Sequence, residues 1–261
     1  MYDLVALDAE LAGTVFAGKL HFSSATGSTN SDALAAARDG APHGSVFFTD
    51  EQTAGRGRGD HTWHSSAGEG LYVSVLLRPD ILPAYLPMIP LVTGLAAAWA
   101  IGLAAGLNVD IRWPNDLLIG DRKTGGILVE SKTEASAGAL VVIGVGINVH
   151  QRGFETGLST PATSLDIESG RTVSRQALLI ALLESLQRET WGLYDAAVVA
   201  AIPARVAQMS TWIWNRRVEV HGPQSCTGIT AGLDANGFLL VRTNRGVVTV
   251  QTGGIRAADT E

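Results

Sequence analysis

From Leu91 to Leu107 the sequence carries no charged side chain and is rich in alanine and glycine. The stretch is shorter than the ~20 apolar residues needed to span a bilayer. It therefore reads as a helix buried in a globular core, and the rest of the chain must supply the elements that cover it. The material is present: hydrophobic residues make up 46% of the 261 positions and charged ones 17%, so composition gives no sign of disorder. That length allows one large domain, or one large domain with a small one beside it.

Several function classes drop out early. The net charge of −6 is spread without a long basic tract, which argues against a general nucleic-acid surface. Cys226 is the single cysteine, so neither an internal disulfide nor a multi-cysteine metal site can form. Met1 to Glu10 carries acidic groups and lacks the basic-then-apolar order of a secretory signal, so a cytoplasmic protein without a membrane segment is expected.

Strand-like runs lie at Val46–Phe48 and Leu71–Leu77, between glycine-rich and polar segments, and again at Ile127–Glu130 and Leu140–Val149. Helical texture covers Ser31–Arg38, with Asn30 as a candidate cap, and continues in Leu91–Ala105. From Ser174 to Ala197 leucines recur at helical spacing, and Pro203 interrupts or starts the next helix. This alternation implies an α/β (α+β) fold, a sheet covered by helices. After Met209 the texture changes to short strand-like pieces, Arg217–Val220, Gly228–Leu233, Phe238–Val241 and Val247–Gln251, separated by turn signals such as Asn236-Gly237. A small β-barrel is expected there, dividing the chain into residues 1–208 and 209–261, with Cys226 as a small residue of the β tail.

The sharpest segment is Glu51-Gln52-Thr53-Ala54-Gly55-Arg56-Gly57-Arg58-Gly59, which runs on towards Trp63. Glycines let backbone wrap closely around a ligand, and Arg56 and Arg58 add fixed charge and planar donors for carboxylate or phosphate. A solvated Arg-Gly turn is the plain alternative, although such turns usually come in repeats. Arg112-Trp113-Pro114-Asn115-Asp116 offers amide and carboxylate oxygens to Mg²⁺ or a polar ligand, and equally suits an ordinary turn. In Asp121 to Glu130, Lys123 beside Gly125-Gly126 can meet a developing anion where backbone approaches closely, or can sit in a solvated hairpin; its glycine spacing is not that of a Walker A loop. Gly27-Ser28-Thr29-Asn30 suits ligand binding or helix capping. Gly144-Val145-Gly146-Ile147-Asn148 ends a buried strand on an amide that either contacts ligand or terminates the strand.

In this order the five segments resemble the biotin protein ligases: Ser-Thr-Asn, a Gly-Arg-Gly-Arg loop followed by tryptophan, Trp-Pro-Asn-Asp, Arg-Lys-x-x-Gly-Ile-Leu-x-Glu, and Gly-x-Gly-x-Asn. The resemblance spans roughly the first 165 residues and is specific as an ordered set. It implies a mixed sheet packed with helices, related to class II aminoacyl-tRNA synthetases, and an SH3-like C-terminal β-barrel. It also implies activation of biotin by Mg·ATP to biotinyl-5′-AMP and transfer to a lysine of an acceptor, the biotin carboxyl carrier protein. By that similarity Ser28, Thr29, Asn30 and Gln52 line the biotin pocket, and Gly126 lets the backbone approach it. Gly55, Arg56, Gly57 and Arg58 form the biotin-ordered loop, and Lys123 bridges biotin's carboxyl group and the reacting phosphate. Trp63, Asn115, Asp116 and Asn148 serve the adenylate side. Lys123, Arg56 and Arg58 are the expected catalytic cations, and no side chain is assigned as ligand to a resident metal.

Two anions meet in the first step, so a site rich in cations suits it better than a general base, and in the second the nucleophile comes from the partner. One departure stands out. Gly59-Asp60-His61 places a histidine where the family often has a phosphate-facing arginine, and adds an acid beside it. The 27 residues before Ser28 are too few for the winged helix-turn-helix of repressor members, so no operator DNA is expected. A homodimer stays open. The rival readings are a lipoate-protein ligase, which lacks this loop, and a non-catalytic biotin or nucleotide sensor; the intact Lys123 and Asn115-Asp116 favour catalysis.

Overall fold

The computed structural model describes residues 2–59, 61–134 and 138–258. Helix α1 (Leu4–Glu10) leads into β1 (Leu20–Thr26), α2 (Thr29–Arg38), β2 (Ser45–Gln52) and β3 (Gly70–Leu77). After the long helix α3 (Ile89–Ala105) come β4 (Asp110–Arg112), β5 (Asp116–Ile119), β6 (Arg122–Glu134) and β7 (Gly138–Asn148). These strands form one mixed sheet of seven in the order β1-β2-β3-β7-β6-β5-β4, in which β1 and β2 run parallel and the other neighbours antiparallel.

The two faces of this sheet do different work, and strand periodicity separates them. On β7 the odd-numbered residues Val141, Ile143, Val145 and Ile147 enter the main core, together with Val73 and Val75 of β3 and Ile127 and Val129 of β6. Over that face lies α3, buried almost all round and ended by Gly106 in the left-handed region at φ 74°. The helical stretch Pro83–Ala105 has the length and apolarity of a membrane span, but it is largely buried here as a core helix. Further helices complete the layer: α4 (Leu165–Ser169), α5 (Arg175–Trp191), which packs along α3, and α6 (Ala196–Gln208). On the opposite face, Leu140, Val142 and Leu76 pack against Ala33 and Ala37 of α2. The even-numbered positions further along β7 are Gly144, Gly146 and Asn148, and there the site begins.

The remaining strands, β8 (Trp214–His221), β9 (Cys226–Leu233), β10 (Leu239–Thr243), β11 (Gly246–Val250) and β12 (Gly254–Ala257), make an antiparallel sheet in the order β11-β10-β9-β8-β12. It is tied to the first sheet: Ile111 N–H donates to Met209 O at 2.9 Å, Thr211 Oγ1 donates to Asp110 Oδ2 at 2.6 Å, and Trp113 Nε1 donates to Gly237 O at 3.1 Å.

Some local expectations need correction. Asn30 is not the cap of α2; Ser28 holds that position without a side-chain hydrogen bond, and Asn30 lies in the first turn with its amide committed elsewhere. The leucine periodicity from Ser174 does not make one helix to Ala197. Ser174 does cap α5, but a 3₁₀ turn at Gly192–Tyr194 breaks the run, and Asp195 caps a new helix. Pro203 neither starts nor interrupts α6, which continues through it because Val199, Ile202 and Val206 are buried along one side.

Candidate active site

Strands β6 and β7 lay a floor from glycines. In register across β3, β7, β6 and β5 stand Tyr72, Gly146, Gly126 and Asp116, and in the row behind are Ser74, Gly144 and Leu128. Each glycine of β7 makes room for one side chain. A Cβ on Gly144 would stand 2.1 Å from Asn30 Oδ1, and one on Gly146 would stand 2.5 Å from Trp63 Nε1. Gly126 borders the same indole, its Cβ position lying 3.2 Å from Trp63 Cζ3.

The Gly-Arg segment is a hairpin above this floor. Trp63 N–H donates to Gly55 O at 2.9 Å and Gly57 N–H donates to His61 O at 2.7 Å, so the chain folds back on itself around Arg58. Gly55 must be glycine, since a Cβ there would lie 2.3 Å from Trp63 O. Between hairpin and floor lies a cleft of about 410 Å³, lined among others by Gly55, Arg56, Gly57, His61, Leu128 and Glu130, within the size range of small-molecule sites. His61 thus borders the cleft. Asp60, its expected acidic neighbour, falls outside the described residues.

One wall of the site is a buried polar chain at the start of α2. Thr29 N–H donates to Gln52 Oε1 at 3.0 Å, with Thr29 Oγ1 3.2 Å from the same oxygen, and Gln52 Nε2 donates to Ser65 Oγ at 2.8 Å. Ser74 Oγ lies 2.7 Å from Thr29 Oγ1 and donates to Asn30 Oδ1 at 2.5 Å, while Asn30 Nδ2 donates to Glu130 Oε2 at 2.9 Å. Ser28, Thr29 and Asn30 are all buried, with Ser28 at the helix start.

The cations gather at the other end. Lys123 Nζ is 2.5 Å from Asp116 Oδ1 and 5.5 Å from the centre of the Trp63 ring. Arg112 reaches Asp116 Oδ2 through Nη2 at 2.6 Å and Nε at 3.1 Å, and also donates to Thr160 Oγ1 at 2.9 Å. Burial works to raise the Asp116 carboxyl, but Lys123 and Arg112 outweigh it and hold the group below its ordinary value, hence ionised. Arg58 also feels this carboxylate, although burial lowers its own proton affinity first. Lys123 and Arg112 thus face one acid, and the three side chains keep a surplus of positive charge. Among the described residues no group of three or more His, Cys, Asp or Glu could hold a metal ion, so any Mg²⁺ here would take most of its ligands from the substrate.

The structure brings Ser28, Thr29, Asn30, Gln52, Gly126, Trp63, Asp116 and Lys123 to one face of the sheet. Arg56 and Arg58 point differently. Arg56 forms an ion pair across the cleft with Glu130 at 2.5 Å, whereas Arg58 donates from Nη1 to Gly253 O and from Nη2 to Thr252 Oγ1 at 3.2 Å, at the turn before β12. Asn115 and Asn148 use their amide donors on backbone: Asn115 on Ile127 O at 2.9 Å, Asn148 on Thr163 O at 3.0 Å. Sequence reasoning passed over Ser74, Ser65 and Glu130 as site residues. Glu130 was the most accessible, because the alternation 126, 128, 130 puts it on the glycine face of β6.

Comparison with known proteins agrees with this geometry. Residues 25–148 match the family model described as the biotin/lipoate A/B protein ligase family. The chain is 32% identical over 244 residues to a bifunctional ligase/repressor of Bacillus spizizenii, covering 87% of this chain and 70% of that protein. It is also 32% identical over 249 residues to the biotin–[acetyl-CoA-carboxylase] ligase of Mycobacterium tuberculosis, covering 88% and 85%. A solved biotin protein ligase of Aquifex aeolicus, in complex with biotin and ATP, superposes with a TM-score of 0.79 at 26% identity over 92% of this chain and 98% of that one.

Proposed function

This chain belongs to the biotin/lipoate A/B protein ligase family, in its biotin protein ligase branch, and from that premise we infer that it activates biotin with ATP and transfers it to a protein lysine. In the first step an oxygen of biotin's carboxylate attacks the α-phosphorus of Mg·ATP, and the bond to pyrophosphate breaks. In the second, an acceptor lysine amine attacks the acyl carbon of biotinyl-5′-AMP, giving an amide and AMP.

The observation that carries this reading is the pairing of Lys123 and Arg112 with the single carboxylate of Asp116. A carboxylate and a triphosphate repel each other, so a preorganised positive field lowers the barrier to their meeting. Asp116 holds Lys123 aimed along the edge of the glycine floor, and Lys123 can trade that contact for the substrate's oxygens. Asn115 Oδ1 and the Asp116 carboxylate are the oxygens that would hold a magnesium ion brought in with ATP, which would add positive charge to the same field. Thr29, Asn30 and Gln52, with Ser28, hold biotin in the cleft; Trp63, on the Gly126–Gly146 floor, and Asn148 lie toward the adenylate. We assign residues 1–208 to biotin and ATP binding and residues 209–261 to an SH3-like unit that braces them. The acceptor is the biotin carboxyl carrier protein, and the reaction takes place in the cytoplasm.

Incubation with biotin, Mg·ATP and carrier protein should release pyrophosphate, form biotinyl-5′-AMP and leave biotin on one carrier lysine. Pyrophosphate release with lipoate and not with biotin would overturn the substrate, and binding without any pyrophosphate would make the protein a sensor.

A further inference from the structure

Glu130 is the only acid among the described residues lining the cleft, and it sits on the floor strand β6 facing the hairpin. Its carboxylate accepts from both terminal nitrogens of Arg56, at 3.2 and 2.5 Å, and from Asn30 Nδ2 at 2.9 Å. One side chain therefore touches both the hairpin wall and the buried polar wall of the cleft.

The second contact has consequences beyond itself. An ionised carboxylate can only accept hydrogen bonds, so it obliges Asn30 to turn its NH₂ toward β6 and its oxygen toward Ser74. The Ser74 hydroxyl proton is then committed to Asn30, at 2.5 Å. Thr29 Oγ1, 2.7 Å from Ser74 and 3.2 Å from Gln52 Oε1, is left to give its one proton back to Ser74, the nearer oxygen. Gln52 is oriented separately, by the Thr29 backbone N–H that donates to its Oε1 at 3.0 Å, and so presents its NH₂ to Ser65. The donor and acceptor sense of Asn30 and Ser74 thus starts from one anion, while that of Gln52 starts from the Thr29 backbone N–H.

We infer that Glu130 is a positioning residue for biotin binding: it sets the hydrogen-bonding polarity of Asn30 and Ser74 in the buried polar wall and straps the Gly-Arg hairpin to the floor through Arg56. The inference rests on the ligase reading above. It assigns Glu130 no contact with the reacting atoms, so its effect belongs to biotin affinity and not to the chemical step.

The test uses the full chain, biotin titration calorimetry and steady-state pyrophosphate release. Glu130→Gln keeps the size of the side chain, removes its charge and can donate toward Asn30. Because a hydrogen bond to a charged group contributes more than a neutral one, Kd and KM for biotin should rise about tenfold or more, with KM for ATP within about twofold and kcat within about threefold. Glu130→Asp, which restores the anion, should recover biotin affinity to within about threefold of the parent. Unchanged biotin affinity in Glu130→Gln, an ATP KM that rises in step with that for biotin, or an aspartate variant no better than the glutamine one would each overturn the assignment. If Glu130→Gln does not fold, Ser74→Ala frees Asn30 Oδ1 and tests the same chain: biotin Kd should rise about threefold or more, and an unchanged Kd overturns the proposal. A parent protein that neither binds biotin nor releases pyrophosphate overturns the ligase reading and this inference with it; an active parent beside an unaffected Glu130→Gln overturns only the role of Glu130.

Discussion

Gly144→Ala and Gly146→Ala add the same methyl group to the same face of β7, two residues apart, and the structure gives them different consequences. At 144 the new carbon would stand 2.1 Å from Asn30 Oδ1. Asn30 cannot retreat freely, because it is buried and held by Ser74 and Glu130, and β7 is fixed between β3 and β6. Making room breaks Asn30 away from those partners. A buried polar group left unpaired costs about 1–3 kcal/mol, and overpacking costs a further ~1–3 kcal/mol. Allowing for partial relaxation, Gly144→Ala should destabilise by roughly 2–4 kcal/mol, which in a chain of this size lowers Tm by about 5–15 °C. At 146 the clash is with Trp63 Nε1 at 2.5 Å, a buried N–H with no hydrogen-bond partner among the described residues, on a half-buried ring carried by the hairpin. The ring can slide outward without losing a hydrogen bond. The alanine also narrows the unfolded ensemble, worth about 0.4–1 kcal/mol, so stability should change by no more than about 1 kcal/mol. Ligand binding should divide the other way along the site: Gly144→Ala weakens biotin, while Gly146→Ala, by moving Trp63, weakens ATP. Thermal unfolding of both variants beside the parent, followed by calorimetric titration with each ligand, measures all four quantities. Equal losses of Tm in the two variants, or a Gly144→Ala protein that melts with the parent, would refute the reasoning.

Lys123→Ala should leave the fold intact and slow biotinyl-5′-AMP formation by about 10²–10³, the usual loss on removing one preorganised donor to developing charge; quench-flow adenylation at near-parental rate would sink the role of Lys123. Arg58→Ala should release biotinyl-5′-AMP faster, since the hairpin loses a cation and its tie to Thr252 and Gly253; equal dissociation rates in a chase experiment would count against it. Asp116→Asn leaves Lys123 and Arg112 without their shared counter-ion and should cost about 3 kcal/mol. The folded-state value of this carboxyl lies below its unfolded 3.8, so its contribution is fully present above that pH and is lost as pH falls through the folded value. Urea unfolding should therefore give a constant difference between parent and variant from about pH 5 to 9, converging only in stronger acid; a difference that shrinks near neutrality would contradict the ion-pair assignment.

The segments most legible in the sequence were those whose chemistry excludes most residue types. Gly55 and Gly144 are needed because a side chain there would collide with Trp63 O or Asn30. Lys123 beside two glycines and Asp116 after Pro114 likewise announced themselves by type and spacing. Buried strands with β-branched runs, such as Leu140–Val149, were also readable. By contrast β1, Leu-His-Phe-Ser-Ser-Ala-Thr, is half exposed, carries no clean alternation, and becomes a strand by pairing with β2. The four residues of β12 are too short for a periodic signal. What no local pattern could supply was the partner of each charge. That Arg56 meets Glu130, 74 positions away, and that Asp116 takes both Lys123 and Arg112, follows from the sheet register.

The tie between Arg58 and the turn before β12 also bears on how the molecule is made. Arg58 bonds to residues 194 and 195 positions later, and the indole of Trp113 to a carbonyl 124 positions later. On a ribosome the whole seven-stranded sheet, the glycine floor and the polar wall can assemble while these anchors are still in the exit tunnel or not yet translated. A nascent chain can therefore own a pocket before it owns a fastened lid, because the turn before β12 emerges long after the site residues it ties down.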